Sequence, residues 1–330
     1  MQDPHHELAA SIRDELKQAH KVLVISHQRP DGDAIGSVLA MGLALRAQGK
    51  EVQMVLKDGI PDNFRFLDGS ERIVTKPEGK VDYIIVVDSS EIERTDTDLN
   101  DYNIPDLNID HHKTNTGFAR INLVESNAVA TAEILTDYLP VFGFTITKPI
   151  ANALLTGIVT DTIGFRTTNV NPRMLRMVAD LMEQGGELAD IYYRTIVEQS
   201  LASARYWGAG LSKIQMEDGL VWTTLSLKER NSAGYIARDD ADLVKILSAI
   251  EGAKVAVILT EQTGGYVKIS WRLCGSSETI LDVSEIAQKF GGGGHKAAAG
   301  ADVKGNMDEV LLKVLADTKL SMHHVKEPVE

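Results

Sequence analysis

The sequence predicts an α/β protein. Its N-terminal half reads as a doubly wound, mainly parallel sheet with helices on both faces, and its C-terminal part as a smaller α/β domain with a mixed sheet. Three observations carry that expectation. Short apolar runs alternate with helical spacing through the first half. After Gly185-Gly186 the pattern changes to hairpin-like pairs. The chain has 330 residues, which suits two domains better than one or three.

Val22–Ser26 (VLVIS) is a continuous apolar run between polar residues, as a buried parallel strand requires. Asp33 stands where a helix N-cap would, Ala34–Gln48 has helical spacing, and Gly49 sits at the stop position. Val52–Leu56, Tyr83–Val87 and Leu107–Ile109 read as further strands, and Ala128–Phe142, Pro149–Thr160 and Arg173–Glu183 as helices. The polar, helical segment Leu188–Gly208 reads as a connector, which sets the domains at residues 1–186 and 209–330 with the connector at 187–208. In the second domain hairpins are expected to turn at Glu217-Asp218-Gly219 and Thr263-Gly264-Gly265, with helices at Asp240–Ile250, Val283–Phe290 and Met307–Leu320. Met322–Glu330 is polar and reads as a frayed end.

With 43% hydrophobic and 25% charged residues, the chain can build a core in each half, which excludes general disorder. The 34 Lys and Arg against 47 Asp and Glu give a net charge of −13, so this is not a general polyanion binder. Any nucleic acid or phosphate it handles must be met by a local basic patch or by metal ions. The single cysteine, Cys274, excludes an internal disulfide and a multi-cysteine zinc site and fits a reducing compartment. The N-terminus has no apolar export segment and no apolar run reaches bilayer-spanning length. The expectation is a cytoplasmic protein without a membrane partner.

Four polar clusters directly follow apolar runs: His27 to Asp33, Asp88-Ser89-Ser90, Asp110-His111-His112, and Asp161 after ANALLTGIVT. Ligands of open α/β sheets bind outside the carboxyl ends of the strands, so parallel neighbours would bring the first three to one crevice. An Asp after a strand is ordinarily a turn or capping residue, and Asp33 alone would be read so. Four such coincidences in series are a different matter. Asp31 and Asp33 flank Gly32 and can diverge toward two ions. His and Asp without Cys favour ions taking mixed nitrogen and oxygen ligands, such as Mn²⁺ or Mg²⁺. The candidate ligands are His27, Asp31, Asp33, Asp88, His111 and Asp161. Four crowded carboxylates left uncompensated would repel and raise their own pKa values, which argues for two divalent ions.

These motifs resemble those of the DHH phosphoesterase superfamily: HxxPDGDAIGS at His27–Ser37, the Asp88 cluster, Asp110-His111-His112, and GIVTDT at Gly157–Thr162. The resemblance implies a two-metal phosphoesterase. It assigns one ion to His27, Asp31 and Asp88 and the other to Asp33, Asp88, His111 and Asp161, with Asp88 bridging. His112 would face the substrate phosphate and Asp110 would orient the histidines. The chemistry implied is attack of a metal-activated hydroxide on phosphorus, with His112, Arg166 and Arg272 offsetting charge on the phosphoryl oxygens.

In the second half, Gly291 to Gly300 (GGGGHKAAAG) is the strongest signal. Consecutive glycines let a backbone approach a ligand and turn N–H groups to an anion, although a glycine run is ordinarily a hairpin or linker. His295 and Lys296 add polar groups. The run resembles the DHH-associated C-terminal domain of compact bacterial nano-RNases and pAp phosphatases. By that resemblance Arg272, Gly292, Gly293, Gly294 and His295 would hold the terminal phosphate or base of a substrate, with residues 1–186 catalytic and 209–330 substrate-binding. The activity implied is hydrolysis of oligonucleotides of about two to five units and of adenosine 3′,5′-bisphosphate (pAp). No extended basic and aromatic groove is visible, so a long nucleic acid partner is not expected. A homodimer is left open. Two other readings compete: a phosphodiesterase of cyclic dinucleotides or their linear products, and a non-catalytic nucleotide- or RNA-binding regulator, which the full set of ligands disfavours.

Overall fold

The computed structural model describes residues 4–99, 102, 104–275 and 281–324, and the chain forms two compact units, Met1–Glu198 and Gln199–Glu330. In the first unit, helix α1 (Pro4–Gln18) leads into strand β1 (Lys21–Ile25), helix α2 (Gly32–Ala47) and strand β2 (Glu51–Val55). Then come β3 (Ile73–Val74), β4 (Tyr83–Val87), β5 (Leu107–Asp110) and β6 (Ile121–Val124), followed by helices α3 (Thr131–Val141), α4 (Lys148–Asp161), α5 (Pro172–Glu183) and α6 (Leu188–Tyr192).

The six strands lie in the order β3-β2-β1-β4-β5-β6 and every pairing is parallel. The chain runs outward from β1 to β3, returns to β4 on the other side of β1, and runs outward again. The gap between β1 and β4 is therefore the topological switch point of the sheet. β4 is buried along its whole length, which is why its sequence is apolar without alternation. One set of side chains, including Val22, Val24, Ile85 and Val87, packs in one core with residues of α1 to α5. The alternate set, Leu23, Ile25, Ile84 and Val86, packs beneath the 3₁₀ turn Ile92–Thr95 and loop residues such as Val81 and Phe118.

Helix α2 is buried on nearly every side, because its sequence GDAIGSVLAMGLALRA has no polar face to present to water. Its seam with α4 depends on residues that lack bulk. A Cβ at Gly36 would fall on the Ala153 carbonyl, and one at Gly157 would lie 2.5 Å from Ala132 Cβ and 2.6 Å from Asp33 Oδ1. The N-cap of α2 is Asp31, whose side chain accepts from the N–H groups of Asp33 and Ala34. The expectation that Asp33 is the cap is thus corrected. Helix α2 begins at Gly32, two residues earlier than its apolar spacing shows, and this releases Asp33 for contacts outside its own helix.

The segment expected as a helical connector consists of α6, a π turn at Tyr193–Val197, an extended Glu198, and helix α7 (Leu201–Leu211) capped by Ser200. The second unit continues with β7 (Gln215–Glu217), β8 (Leu220–Leu225), α8 (Leu227–Ala233), α9 (Leu243–Leu247), β9 (Val255–Gln262) and β10 (Tyr266–Leu273). It closes with α10 (Val283–Lys289), β11 (Gly293–His295), β12 (Ala298–Lys304) and α11 (Met307–His324). Its sheet runs β11-β12-β10-β9-β8-β7 and is mixed, with β8 and β9 parallel and the other pairs antiparallel. One core joins Trp222, Val257, Ile269 and Trp271 to α10 and α11, and a second joins Val221, Ala256 and Ile258 to α7, α8 and α9. Helix α11 extends through His324, two residues past the expected start of fraying, and residues 325–330 lie outside the described residues.

Because the neighbour at Gly36 is backbone, α2 and α4 must separate to admit a methyl group. Gly36→Ala is expected to destabilise the first unit by roughly 1–3 kcal/mol, measured as a lower midpoint in urea unfolding. An unchanged midpoint would contradict this account of the seam.

Candidate active site

β1, β4 and β5 are neighbours, so the clusters at their carboxyl ends face one crevice. Asp161 joins them as the last residue of α4, because the α2–α4 seam brings that helix end beside the start of α2. Three groups of donors have their ligand atoms within 4.8 Å of one another: His27 with Asp31 and Asp88, Asp33 with His111 and Asp161, and Asp88 with His111 and His112.

His27 is buried, and its Nδ1 lies 2.8 Å from the Gln28 carbonyl, to which it donates. That leaves Nε2 facing Asp88 Oδ2 at 3.5 Å and Asp31 Oδ1 at 3.8 Å. His111 is arranged alike. Nδ1 is 3.3 Å from the Ala128 carbonyl, and Nε2 faces Asp88 Oδ1 at 3.7 Å, Asp161 Oδ2 at 3.7 Å and Asp33 Oδ2 at 4.0 Å. Both rings are fixed by a carbonyl at one nitrogen and present the other to carboxylates, the usual arrangement of metal-binding imidazoles. Separations of 3.5 to 4.0 Å are too long for hydrogen bonds. They suit donors that face a shared point, since two ligands each about 2.0–2.2 Å from one ion lie roughly 3–4 Å apart. The donors are imidazole and carboxylate without thiolate, so the residues present fit hard divalent cations.

His112 differs. Its Nδ1 donates to Asp110 Oδ1 at 2.7 Å, and Asp110, fully buried, also accepts from Asn115 Nδ2 at 2.6 Å. This places the Asp110 carboxylate behind the His112 ring. Asn115 also bridges to Asn108 Oδ1 at 2.7 Å.

The electrostatics follow from crowding. Burial, reinforced by the charges of Asp88, Asp161 and Asp31, holds the Asp33 carboxyl well above the usual range. Burial also raises Asp161, which His111 opposes and Asp88 and Asp31 reinforce, to about 6. Burial disfavours the charged form of His27, but the facing carboxylates of Asp31 and Asp88 outweigh it and push the ring up to about 10. For Asp110, burial is outweighed by the bonds from His112 and Asn115, which hold it low, while the bond to Asp110 holds His112 above the ordinary imidazole value.

Sequence reasoning did not single out Thr131 or Asn115. Thr131 Oγ1 lies 3.0 Å from Asp88 Oδ1, and the Thr131 and Ala132 N–H groups donate to Asp33 at 2.6 and 2.9 Å. A threonine early in a helix carries no distinguishing sequence signal. Arg166 is exposed, in the turn after Asp161, and makes no ion pair among the described residues. Ile163, Gly164 and Phe165 before it are all left-handed, at φ 50°, 67° and 67°. The β-branched Ile163 is a costly occupant of such a conformation.

In the second unit the glycine run is the antiparallel hairpin β11–β12 at the sheet edge. Gly292 and Gly294 approach β12 so closely that a Cβ would lie 2.6 Å from the Cβ of Ala301 and from the Cα of Ala299, respectively. They serve strand pairing. Gly293 and His295 alternate to the opposite face. There the register places Ala298 between Arg272 and His295, and Gly300 between Ser270 and Gly293. Arg272 and His295 thus flank a floor of small residues, about 10 Å apart by two strand spacings. Lys296 sits in the turn, exposed, with its carbonyl accepting from Val283 N at 3.0 Å.

Comparisons with known proteins place the chain in a family. Residues 21–158 match the DHH family N-terminal domain and residues 230–319 match the DHHA1 domain. The chain is 35% identical to the bifunctional oligoribonuclease and PAP phosphatase NrnA of Thermus thermophilus, over 89% of this chain and 88% of that protein. It is 24% identical to the cyclic-di-AMP phosphodiesterase PdeA of Listeria monocytogenes, over 90% of this chain but only 47% of that protein. The crystal structure of an exopolyphosphatase-related protein from Bacteroides fragilis superposes with a TM-score of 0.89 at 26% identity, covering 97% of this chain and 98% of the other. The chain belongs to the DHH family of phosphoesterases. Among the described residues no helix is long and apolar enough to cross a membrane.

The raised Asp33, Asp161 and His27 bind protons more tightly in the folded, metal-free protein than in the unfolded chain. For Asp33 and Asp161 the folded-state advantage is present at acid pH and is lost as pH rises, through about 6 for Asp161. For His27 it is present below the ordinary imidazole value and lost as pH rises through about 10. At pH 7 His27 therefore carries a proton that a divalent cation must displace. Calorimetric Mn²⁺ titration at pH 7 in buffers of different ionisation enthalpy is expected to show net proton release. Zero release would contradict the assignment.

Proposed function

We propose that this chain is a metal-dependent phosphoesterase that cleaves oligonucleotides of about two to five units to mononucleotides and removes the 3′-phosphate of pAp. The observation that carries this reading is the pair of imidazole–carboxylate groups that meet at Asp88, at the switch point of a parallel sheet. In this reading His27, Asp31 and Asp88 hold one cation and Asp33, Asp88, His111 and Asp161 the other, with Mn²⁺ preferred and Mg²⁺ the alternative. When bound, the two cations supply an acidified water and a counter-charge for the phosphoryl group.

The chain's own residues do the rest. Asp110 accepts from His112 Nδ1 and favours the imidazolium, whose Nε2–H is turned to a phosphoryl oxygen. Arg166, in the turn after Asp161, adds a cation for the phosphoryl oxygens. Arg272, Gly293, His295 and Lys296 form the binding part of residues 209–330, on a hairpin that the close pairing of Gly292 and Gly294 holds in place, and Arg272 and His295 take the terminal phosphate or base. Residues 1–186 carry the chemistry. The net charge of −13 argues for a short substrate, since a long polyanion would need an extended basic track. The compartment in this reading is the cytoplasm. A second reading, cleavage of cyclic dinucleotides or their linear products, is supported by the similarity to PdeA.

Both readings are separated by offering pAp, a two-mer, a five-mer, a twenty-mer, cyclic di-AMP and pyrophosphate side by side with Mn²⁺. The expected result is release from pAp, two-mer and five-mer at least about tenfold faster than from the twenty-mer, with Asp88→Ala reduced by ~100-fold or more. Preference for cyclic di-AMP would select the second reading. Turnover of pyrophosphate alone, or full activity in Asp88→Ala, would overturn both.

A further inference from the structure

Thr131 opens α3 and is fully buried. Ala130, in the N-cap position, makes no side-chain capping bond, so the first N–H groups of α3 need acceptors from elsewhere. Asp33 provides them, accepting from Thr131 N and Ala132 N. The threonine hydroxyl is committed in the same direction. Inside a helix a Thr hydroxyl commonly turns back to the carbonyl four residues earlier, as Thr136, Thr156 and Thr160 do here. At the first helical position no such carbonyl is in place, and Thr131 Oγ1 donates to Asp88 Oδ1 at 3.0 Å instead.

That bond matters because of how Asp88 is shared. Its Oδ2 faces His27 at 3.5 Å, while its Oδ1 faces His111 at 3.7 Å and His112 at 3.8 Å. The terminal torsion of an aspartate is broad. Without a donor at one oxygen, the carboxylate plane can rotate and present both oxygens to one group. We propose that Thr131 is a positioning residue: its hydroxyl fixes the rotation of Asp88, divides the two carboxylate oxygens between the two donor groups, and thereby couples the filling of one cation position to the filling of the other. This inference rests on the two-cation reading of the site. It concerns only how the shared carboxylate is held.

The test is Mn²⁺ binding to the full chain, stripped with chelator and titrated by calorimetry and by electron paramagnetic resonance, with no substrate present. Thr131→Val keeps the shape and removes the donor, whereas Thr131→Ser keeps the donor and removes a methyl group. The unaltered chain is expected to take two ions with a spin-coupled signal. Thr131→Val is expected to bind the second ion about 10–100-fold more weakly and to lose most of that signal, and Thr131→Ser to stay within about threefold of the unaltered chain. Tight, spin-coupled binding by Thr131→Val, or equal weakening by Thr131→Ser, would overturn the proposal, the latter by tracing the effect to packing of the methyl group. Failure of the unaltered chain to take up two ions would overturn the two-cation reading and this inference with it.

Discussion

Four carboxylates, from Asp31, Asp33, Asp88 and Asp161, meet the imidazoles of His27 and His111 in one crevice, where Asp33 and Asp88 are almost completely shielded from water. Bringing that much like charge together is unfavourable, and the neighbouring structure is arranged to offset it. The N-terminus of α3 turns two N–H groups onto Asp33. His27 stays protonated far above its ordinary range, and Asp33 and Asp161 are driven toward their neutral forms. These adjustments are partial, and bound divalent cations would offset the charge they leave.

The fold supplies the crowding by two separate means. Parallel order brings three strand ends together at the switch point, so His27, Asp88 and the Asp110–His112 triplet converge without any special local conformation beyond the left-handed turn at Asp88, φ 54°. Asp161 arrives by a different route. It depends on α4 lying close enough to α2 for its last turn to reach the crevice, and that closeness is set by Gly36 and Gly157. The same closeness puts Asp33 against Gly157, where a Cβ would lie 2.6 Å from Asp33 Oδ1. A substitution in the seam, at Gly36 or at Gly157, therefore acts on the site.

Much of this was legible in the sequence, for identifiable reasons. Continuous apolar runs marked β1, β4 and β5, and the polar clusters just after them had to share one end of a parallel sheet. The β7–β8 and β9–β10 hairpins of the second unit were marked by Asp-Gly and Gly-Gly turns. Other features left no trace at this level. β3 has only two residues and takes its place from its pairing with β2. The N-cap of α2 lies at Asp31 because two carboxylates stand within reach of the same helix end, and spacing alone does not choose between them. The glycine run looked like an anion-binding loop. Its register shows that Gly292 and Gly294 serve close strand pairing, while only Gly293 and His295 share a face with Arg272. Thr131 was invisible because its role depends on contacts with α2 and β4, which no local pattern encodes.

The central claim is that the carboxylate cluster is a site for two cations that share Asp88. Anomalous diffraction from crystals grown with Mn²⁺, recorded on both sides of the manganese absorption edge, tests it most directly. The account predicts two peaks in the crevice, one among His27, Asp31 and Asp88 and one among Asp33, Asp88, His111 and Asp161. A single peak, or manganese bound away from Asp88, would contradict it.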